Sequence, residues 1–173
     1  MAKIRVLIVD DQELSATGIQ IILRGHGEGE VVPIGIAKDG KEAIKMTDTH
    51  RPDVVLMDVR MPVMDGVQAT ETIHERHPNI RILILTTFDD DKYVLEALSN
   101  GASGYVLKNI PPDELIMAIK TVFRGSLLVS PTVGRKLVQQ ANSAAQLSAE
   151  RIAMKRHDIE ALAGSFGAIL TPR

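Results

Sequence analysis

Cysteine is absent from this 173-residue chain, which excludes a disulfide framework and a thiolate metal site alike. Long apolar runs are missing too, since none approaches the roughly 18 residues that a membrane-spanning helix needs. The opening Met1-Ala2-Lys3-Ile4-Arg5 leads into a strand-like run rather than a signal peptide. Nor is there a large excess of either charge, with 20 lysines and arginines against 22 aspartates and glutamates. The balance is uneven along the chain. From Arg124 onward seven bases face three acids, so an acidic body precedes a mildly basic tail, and charge alone reads there as solvated surface. With 45% hydrophobic residues the chain can bury a core, as one domain with an appendage. A soluble, cytoplasmic protein is expected.

The strongest local pattern is Val54-Val55-Leu56-Met57, which runs straight into Asp58 and then into a loop ending at Asp65-Gly66. A short continuous apolar run bounded by turn residues predicts a strand buried on both faces. Four more strands follow from the same pattern: Ile4–Val9, Val31–Ala37, Arg81–Thr86 and Gly104–Lys108. Between them apolar residues recur at helical spacing. Leu14, Ile19, Ile22 and Leu23 mark the first helix, which the Gly25–Gly29 loop should stop, and Ala43, Ile44 and Met46 mark the second. Val67, Thr70 and Ile73 belong to the third. The fourth, from Asp89 to Asn100, carries three aspartates in its first turn, favourable against the helix dipole. Pro111-Pro112 opens the fifth, with Leu115, Ile116, Ile119 and Val122 inward.

Strands alternating with helices predict an α/β fold with a parallel sheet covered on both faces. Pro33 cannot donate to a ladder, so the second strand belongs at an edge. Right-handed crossovers then favour the flavodoxin-like, doubly wound order 2-1-3-4-5. In that order Asp10, Asp11 and Asp58 converge at the carboxyl ends of the first and third strands, on the same rim as Thr86 and Lys108. Like charges 4 Å apart cost about 4 kcal/mol per pair at an effective dielectric of 20. Such a cluster calls for a hard cation such as Mg²⁺ or for raised pKa values. Taken singly, Asp10 or Asp11 can cap the next helix, Asp58 can be a turn acid, Lys108 a surface lysine and Thr86 an ordinary strand threonine. Their joint placement suits phosphoryl chemistry, with Asp58 as the attacking group.

Residues 1–123 resemble the receiver domain of a two-component response regulator. The matching stretches are Val9-Asp10-Asp11, Val55-Leu56-Met57-Asp58-Val59-Arg60-Met61-Pro62, Asp65-Gly66, Leu85-Thr86-Thr87 and Gly101–Lys108. The resemblance implies that Asp58 accepts phosphate from a sensor histidine kinase. It implies Mg²⁺ held by Asp11, Asp58 and the Arg60 backbone carbonyl, with Asp10 acting through metal-bound water. Thr86 and Lys108 would bind the phosphoryl group, and Tyr105 would be the switch aromatic, turning inward as Thr86 moves. Arg60 and Thr87 would flank the route of hydrolytic water. Beyond its own phosphorylation and dephosphorylation, such a domain is not expected to be an enzyme. Many receivers carry proline directly after the lysine, whereas here Asn109-Ile110 intervene, so a cis peptide is not expected.

After Phe123 the pattern changes. Residues 124–169 read as a linker, helical from Ser130-Pro131 onward, with Val138, Ala145, Ile152, Ile159 and Phe166 spaced at sevens. That spacing fits a dimer seam, a helix folded back on the receiver, or one only partly ordered. Leu170-Thr171-Pro172-Arg173 resembles the opening of the LuxR-type helix-turn-helix domain of the NarL/FixJ class. The expectation is a chain cut short before that domain, so that this fragment does not itself read DNA, and the class implies a homodimer on phosphorylation. The fourth helix–fifth strand–fifth helix face and the first and fifth helices both remain open as the pairing surface. Two rival readings lack their signatures. A haloacid dehalogenase-type phosphohydrolase would need Asp-x-Asp on the first strand, and an FMN-binding flavodoxin-like protein a Ser/Thr-rich loop after it; here the acids are adjacent and no such loop follows.

Overall fold

The computed structural model describes residues 2–87 and 91–169, apart from the side chains of residues 91, 132, 155 and 158–169. Five strands, β1 (Ile4–Val9), β2 (Val31–Ala37), β3 (Val54–Met57), β4 (Arg81–Thr86) and β5 (Gly104–Leu107), form one sheet in the order β2-β1-β3-β4-β5. Every pairing is parallel. Helices α1 (Glu13–His26), α2 (Gly40–His50), α3 (Gly66–Arg76), α4 (Asp91–Ser99) and α5 (Pro112–Phe123) connect and follow the strands, and α6 runs from Pro131 to Ile169. This is a CheY-like fold. Among the described residues no helix is long and apolar enough to cross a membrane.

The continuous apolar runs are central because both their faces are covered. All of Val54–Met57 is buried, as are Val6 to Val9. On one side Ile8, Leu56 and Leu83 share a cluster with Leu23 of α1 and Ile119 of α5. β2 lies at an edge, and its register to β1 shifts immediately after the Val6–Pro33 pair, where the missing proline N–H interrupts the ladder.

Helix starts follow their capping chemistry. The Asp39 carboxylate accepts from the Glu42 amide and Asp65 from the Gln68 amide, each at 2.9 Å. At α1 neither Asp10 nor Asp11 takes that role. The position before the helix is Gln12, which makes no side-chain cap bond. The inner face of α1 is Ala16, Ile19 and Leu23, while Leu14, expected inside, is 89% exposed because it leans outward on the first turn. The helix also continues through Gly25 to His26, and Gly27 ends it by donating to the Leu23 carbonyl. In α2, Ile44 and Met46 are only half-buried, and Ala43 and Thr47 carry the buried face. Asp89 and Asp90, expected to begin α4, lie outside the described residues.

The first compact unit is Met1–Ser130 and the second Pro131–Arg173. The first extends past Phe123 because Leu128 bridges to Gly104 at the start of β5. In the second, Val138, Ile152 and Met154 are exposed on α6. The side chains of Ile159, Leu162 and Phe166, and the Thr171-Pro172 helix signal, lie outside the described residues.

Two glycines separate close approach from mere tolerance. A Cβ at Gly66 would run into the Asp58 carbonyl oxygen, whereas nothing lies within 4 Å of one at Gly18 on α1. Gly66→Ala should lower the unfolding free energy by about 1–3 kcal/mol. Gly18→Ala should raise it by about 0.5–1 kcal/mol. Urea unfolding of both variants reads the contrast.

Candidate functional site

The β1–β3 register pairs Val9 with Met57, so the residues that follow, Asp10 and Asp58, leave the sheet side by side. Backbone bonds fix both. The Asp58 amide donates to the Val9 carbonyl and the Asp10 amide to the Ala37 carbonyl, each at 3.0 Å. One carboxylate oxygen from each of Asp10, Asp11 and Asp58 falls in a group within 4.8 Å of one another. Asp10 is buried, Asp58 half-buried and Asp11 exposed.

Lys108 enters from beyond β5. Its amide donates to the Thr86 carbonyl at 2.7 Å, which ties it to the end of β4. Its ammonium then donates to Asp10 Oδ2 at 2.8 Å and to Asp58 Oδ2 at 3.2 Å. Ile110 donates to the Leu107 carbonyl at 3.0 Å, a tight turn that encloses the lysine, and no cis peptide occurs among the described residues.

The loop after β3 is folded tightly on itself. Gly66 donates to the Val59 carbonyl at 2.8 Å and Val59 to Asp58 Oδ1 at 2.8 Å. Val63 has φ +70°, with Met64 donating to the Pro62 carbonyl at 2.8 Å, a γ-turn that a β-branched residue adopts only under strain. The strain sits where the loop must turn back toward α3 within a few residues.

The charges answer one another unequally. Burial pushes the Asp58 carboxyl above the ordinary carboxylate range; Lys108 opposes that shift and Asp10 reinforces it. Burial acts on Asp10 in the same direction, but hydrogen bonds from Lys108, Ser15 and the Gln12 amide outweigh it and leave its carboxyl lowered. For Lys108, burial alone would favour the neutral amine, yet the Asp10 hydrogen bond and the two carboxylate charges raise it, so the ammonium persists. Asp10 and Lys108 thus form a settled pair, and Asp58 is left as the less satisfied acid. Three carboxylates facing one ammonium leave a negative surplus, and an all-oxygen donor set of this kind suits a hard divalent ion such as Mg²⁺.

Other residues singled out in the sequence do not join the carboxylate group. The Thr86 side chain is buried at the end of β4, and Thr87 is exposed beside it. The Arg60 guanidinium lies over the Tyr93 ring of α4, 5.4 Å from its centroid. Tyr105 is buried, and its hydroxyl donates to Ser130 Oγ at 2.7 Å. Sequence reasoning missed Tyr93 and Ser130. Helical spacing carries no sign of the first contact, and Ser130 is marked in the sequence only as the start of the linker helix.

A parallel 2-1-3-4-5 sheet with acids at the ends of β1 and β3 and a lysine after β5 defines a CheY-like domain built around an anionic pocket. The chain belongs to the response regulator receiver domain family, whose model matches residues 6–120. It is therefore a receiver of the two-component type, related to transcription regulators. It is 40% identical over 138 residues to the transcriptional regulatory protein DegU of Brevibacillus brevis, covering 80% of this chain and 58% of that protein. Against the oxygen regulatory protein NreC of Staphylococcus carnosus (strain TM300), identity is 42% over 79% of this chain and 62% of the relative. Among solved structures, a LuxR-family two-component response regulator from Aurantimonas sp. SI85-9A1 superposes with a TM-score of 0.71 at 29% identity, covering 81% of this chain and 99% of that one. The chain spans about three-fifths of the length of the curated relatives it matches. Family membership decides against the phosphohydrolase and the FMN-binding alternatives.

The raised Asp58 carboxyl has a consequence for stability. A carboxyl raised on folding opposes the folded state once ionised, so its contribution is favourable below its unfolded pKa and is lost as pH rises through the folded one. Without divalent ions, Asp58→Asn should therefore stabilise the protein at neutral pH by about 1 kcal/mol, the usual scale for relieving a functional site. The advantage should shrink in acid, where Asp58 is protonated. Thermal unfolding in a chelator across pH 4–8 measures it, and an Asn variant less stable than wild type at pH 7 would contradict the charge assignment.

Proposed function

We propose that this chain is a phosphorylation-gated switch in which Asp58 takes phosphate from a sensor histidine kinase in the cytoplasm. One Asp58 carboxylate oxygen attacks the phosphorus of the kinase phosphohistidine. The phosphorus–nitrogen bond breaks, its electron pair returns to the imidazole nitrogen, and that nitrogen takes up a proton. Asp11, Asp58 and the Arg60 carbonyl would hold Mg²⁺, with Asp10 reached through water. When bound, the ion supplies charge neutralisation at the transferring phosphoryl oxygens.

The protein's own groups do the rest. The Lys108 ammonium, already beside Asp58, offers its charge to a phosphoryl oxygen. The Thr86 hydroxyl turns to donate to another, and Tyr105 moves inward into the space that Thr86 leaves, altering the surface built by α4, β5 and α5. Arg60 and Thr87, both exposed at the rim, control the approach of hydrolytic water. Lasting turnover of an external substrate is no part of this role. Phosphorylation favours a homodimer, and in the whole protein it governs DNA binding through a helix-turn-helix domain, as the transcriptional relatives suggest.

The observation that carries the reading is the cluster of three carboxylates at the ends of β1 and β3, two of which, Asp10 and Asp58, pair with the Lys108 ammonium. Incubation with phosphoramidate and Mg²⁺ should add the mass of one phosphate to wild type and nothing to Asp58→Ala, with a change of association state confined to the former. Phosphate uptake by Asp58→Ala would refute the assignment. Lys108→Ala should still fold less stably, by about 3–5 kcal/mol, because it leaves buried Asp10 without its cation; chemical unfolding reads that loss.

A further inference from the structure

β5 is the sheet edge opposite β2, and its outer side is covered. Leu128 donates its amide to the Ser103 carbonyl at 2.9 Å, and Tyr105 donates its amide to the Leu128 carbonyl at 3.0 Å, a parallel bridge between Gly104 and Leu128. The chain reaches this place from α5 by turning at Gly125, whose φ of +95° favours glycine. It leaves at Ser130, immediately before Pro131 opens α6.

Three features seat this short strap. Gly104 makes room for it, since a Cβ there would run into the Leu128 carbonyl and lie 2.8 Å from Leu128 Cβ. The Leu128 side chain packs against the core cluster that includes Leu85, Leu115 and Ile119. The third is the hydroxyl pair, Tyr105 to Ser130 Oγ at 2.7 Å. A groove of about 450 Å³ runs alongside, lined by Tyr105, Ile110, Met117, Leu128 and Ser130 among others. Main-chain bonds at Ser126 and Leu128, one apolar side chain and the Tyr105 hydroxyl bond, set against the ordering of five residues, give a modest hold, of the kind that opens locally without unfolding the domain.

We propose that residues 126–130 are a releasable strap, latched on β5 while the Tyr105 hydroxyl holds Ser130 and freed when phosphorylation of Asp58 draws that ring inward. This rests on the reading of Asp58 and Tyr105 given above and extends it to how the state of the pocket leaves the domain. The tyrosine hydroxyl sits at the far tip of its ring, so a change of rotamer sweeps it by several times the tolerance of a hydrogen bond. A ring that turns toward Thr86 therefore carries its hydroxyl away from Ser130. Loss of that bond weakens the strap at its end nearest α6, bares the Tyr105 amide and Ser103 carbonyl on the sheet edge, and frees the chain that enters α6.

The test is amide hydrogen exchange of the whole chain, read by mass spectrometry at residues 126–130 and at Tyr105, for wild type, Ser130→Ala, Ser130→Thr and Gly104→Ala. Unmodified Ser130→Ala should exchange there at least about fivefold faster than wild type, the loss of the Tyr105 hydrogen bond alone being worth that much. Ser130→Thr, which keeps the hydroxyl, should stay near wild type, and Gly104→Ala should exchange faster by displacing the strap directly. Wild type phosphorylated with phosphoramidate and Mg²⁺ should match Ser130→Ala, and phosphorylated Ser130→Ala should gain nothing further. Equal exchange in unmodified wild type and Ser130→Ala would overturn the latch. A sample that carries phosphate by intact mass yet keeps residues 126–130 protected would overturn release while leaving Asp58 as the acceptor. Failure of phosphate uptake would remove the acceptor reading and the release step together.

Discussion

The Lys108 ammonium lying between Asp10 and Asp58 is the constraint on which the rest of this molecule turns. Three carboxylates gathered at the end of a sheet repel one another, and at 4 Å and an effective dielectric of 20 each pair costs about 4 kcal/mol. One cation reaching in from beyond β5 offsets part of that cost. Its contacts at 2.8 and 3.2 Å divide the acids into a partnered Asp10 and a less satisfied Asp58. The inequality follows from depth: Asp10 is the more deeply buried of the two and also receives the Gln12 amide. A group left with a surplus of negative charge and an exposed side is one that a divalent ion can complete.

The sheet exists in the order that makes this meeting geometrically available. β1 and β3 must be neighbours for their terminal acids to adjoin, and β5 must be close enough for a lysine side chain to span β4's end. The strained Val63 turn and the contact of Gly66 with the Asp58 carbonyl belong to the same requirement, because the loop has to release Asp58 toward the pocket and return at once to α3. At the opposite end of the sheet a different set of charges holds α2 to α3. His77 donates from Nε2 to Asp48 at 2.7 Å while its Nδ1 accepts from Arg51 at 3.0 Å, and Arg76 donates to the other Asp48 oxygen at 2.7 Å. The two ends of the strands thus carry separate charge networks.

Much of this was legible in the residue order. The unbroken apolar runs of β1, β3 and β4 announced strands covered on both faces, Pro33 placed β2 at an edge, and the acids and lysine at strand ends marked the rim. Leu14 was misplaced because helical spacing identifies a stripe without saying where on the first turn the stripe begins. The caps at Asp39 and Asp65 and the absence of one from Asp10 or Asp11 were settled by backbone geometry, since an aspartate before a helix serves equally well as a cap or as a pocket acid. The strap over β5 left no periodic signature at all. It is built from main-chain bonds around Gly104 and Leu128, and main-chain donors are the same in every residue.

What the sequence by itself determined is the inventory: which segments are strands and helices, which order the strands take, and which ionisable groups end on one rim. Those follow from local patterning and from the handedness of crossovers, both of which act along the chain. What only the tertiary structure decided is the pairing: that Lys108 favours Asp10 over Asp58, that Arg60 rests on Tyr93, and that the Tyr105 hydroxyl meets Ser130. Such choices depend on differences of tenths of an ångström and on relative burial between segments far apart in sequence, and neither quantity is written in any single stretch of residues.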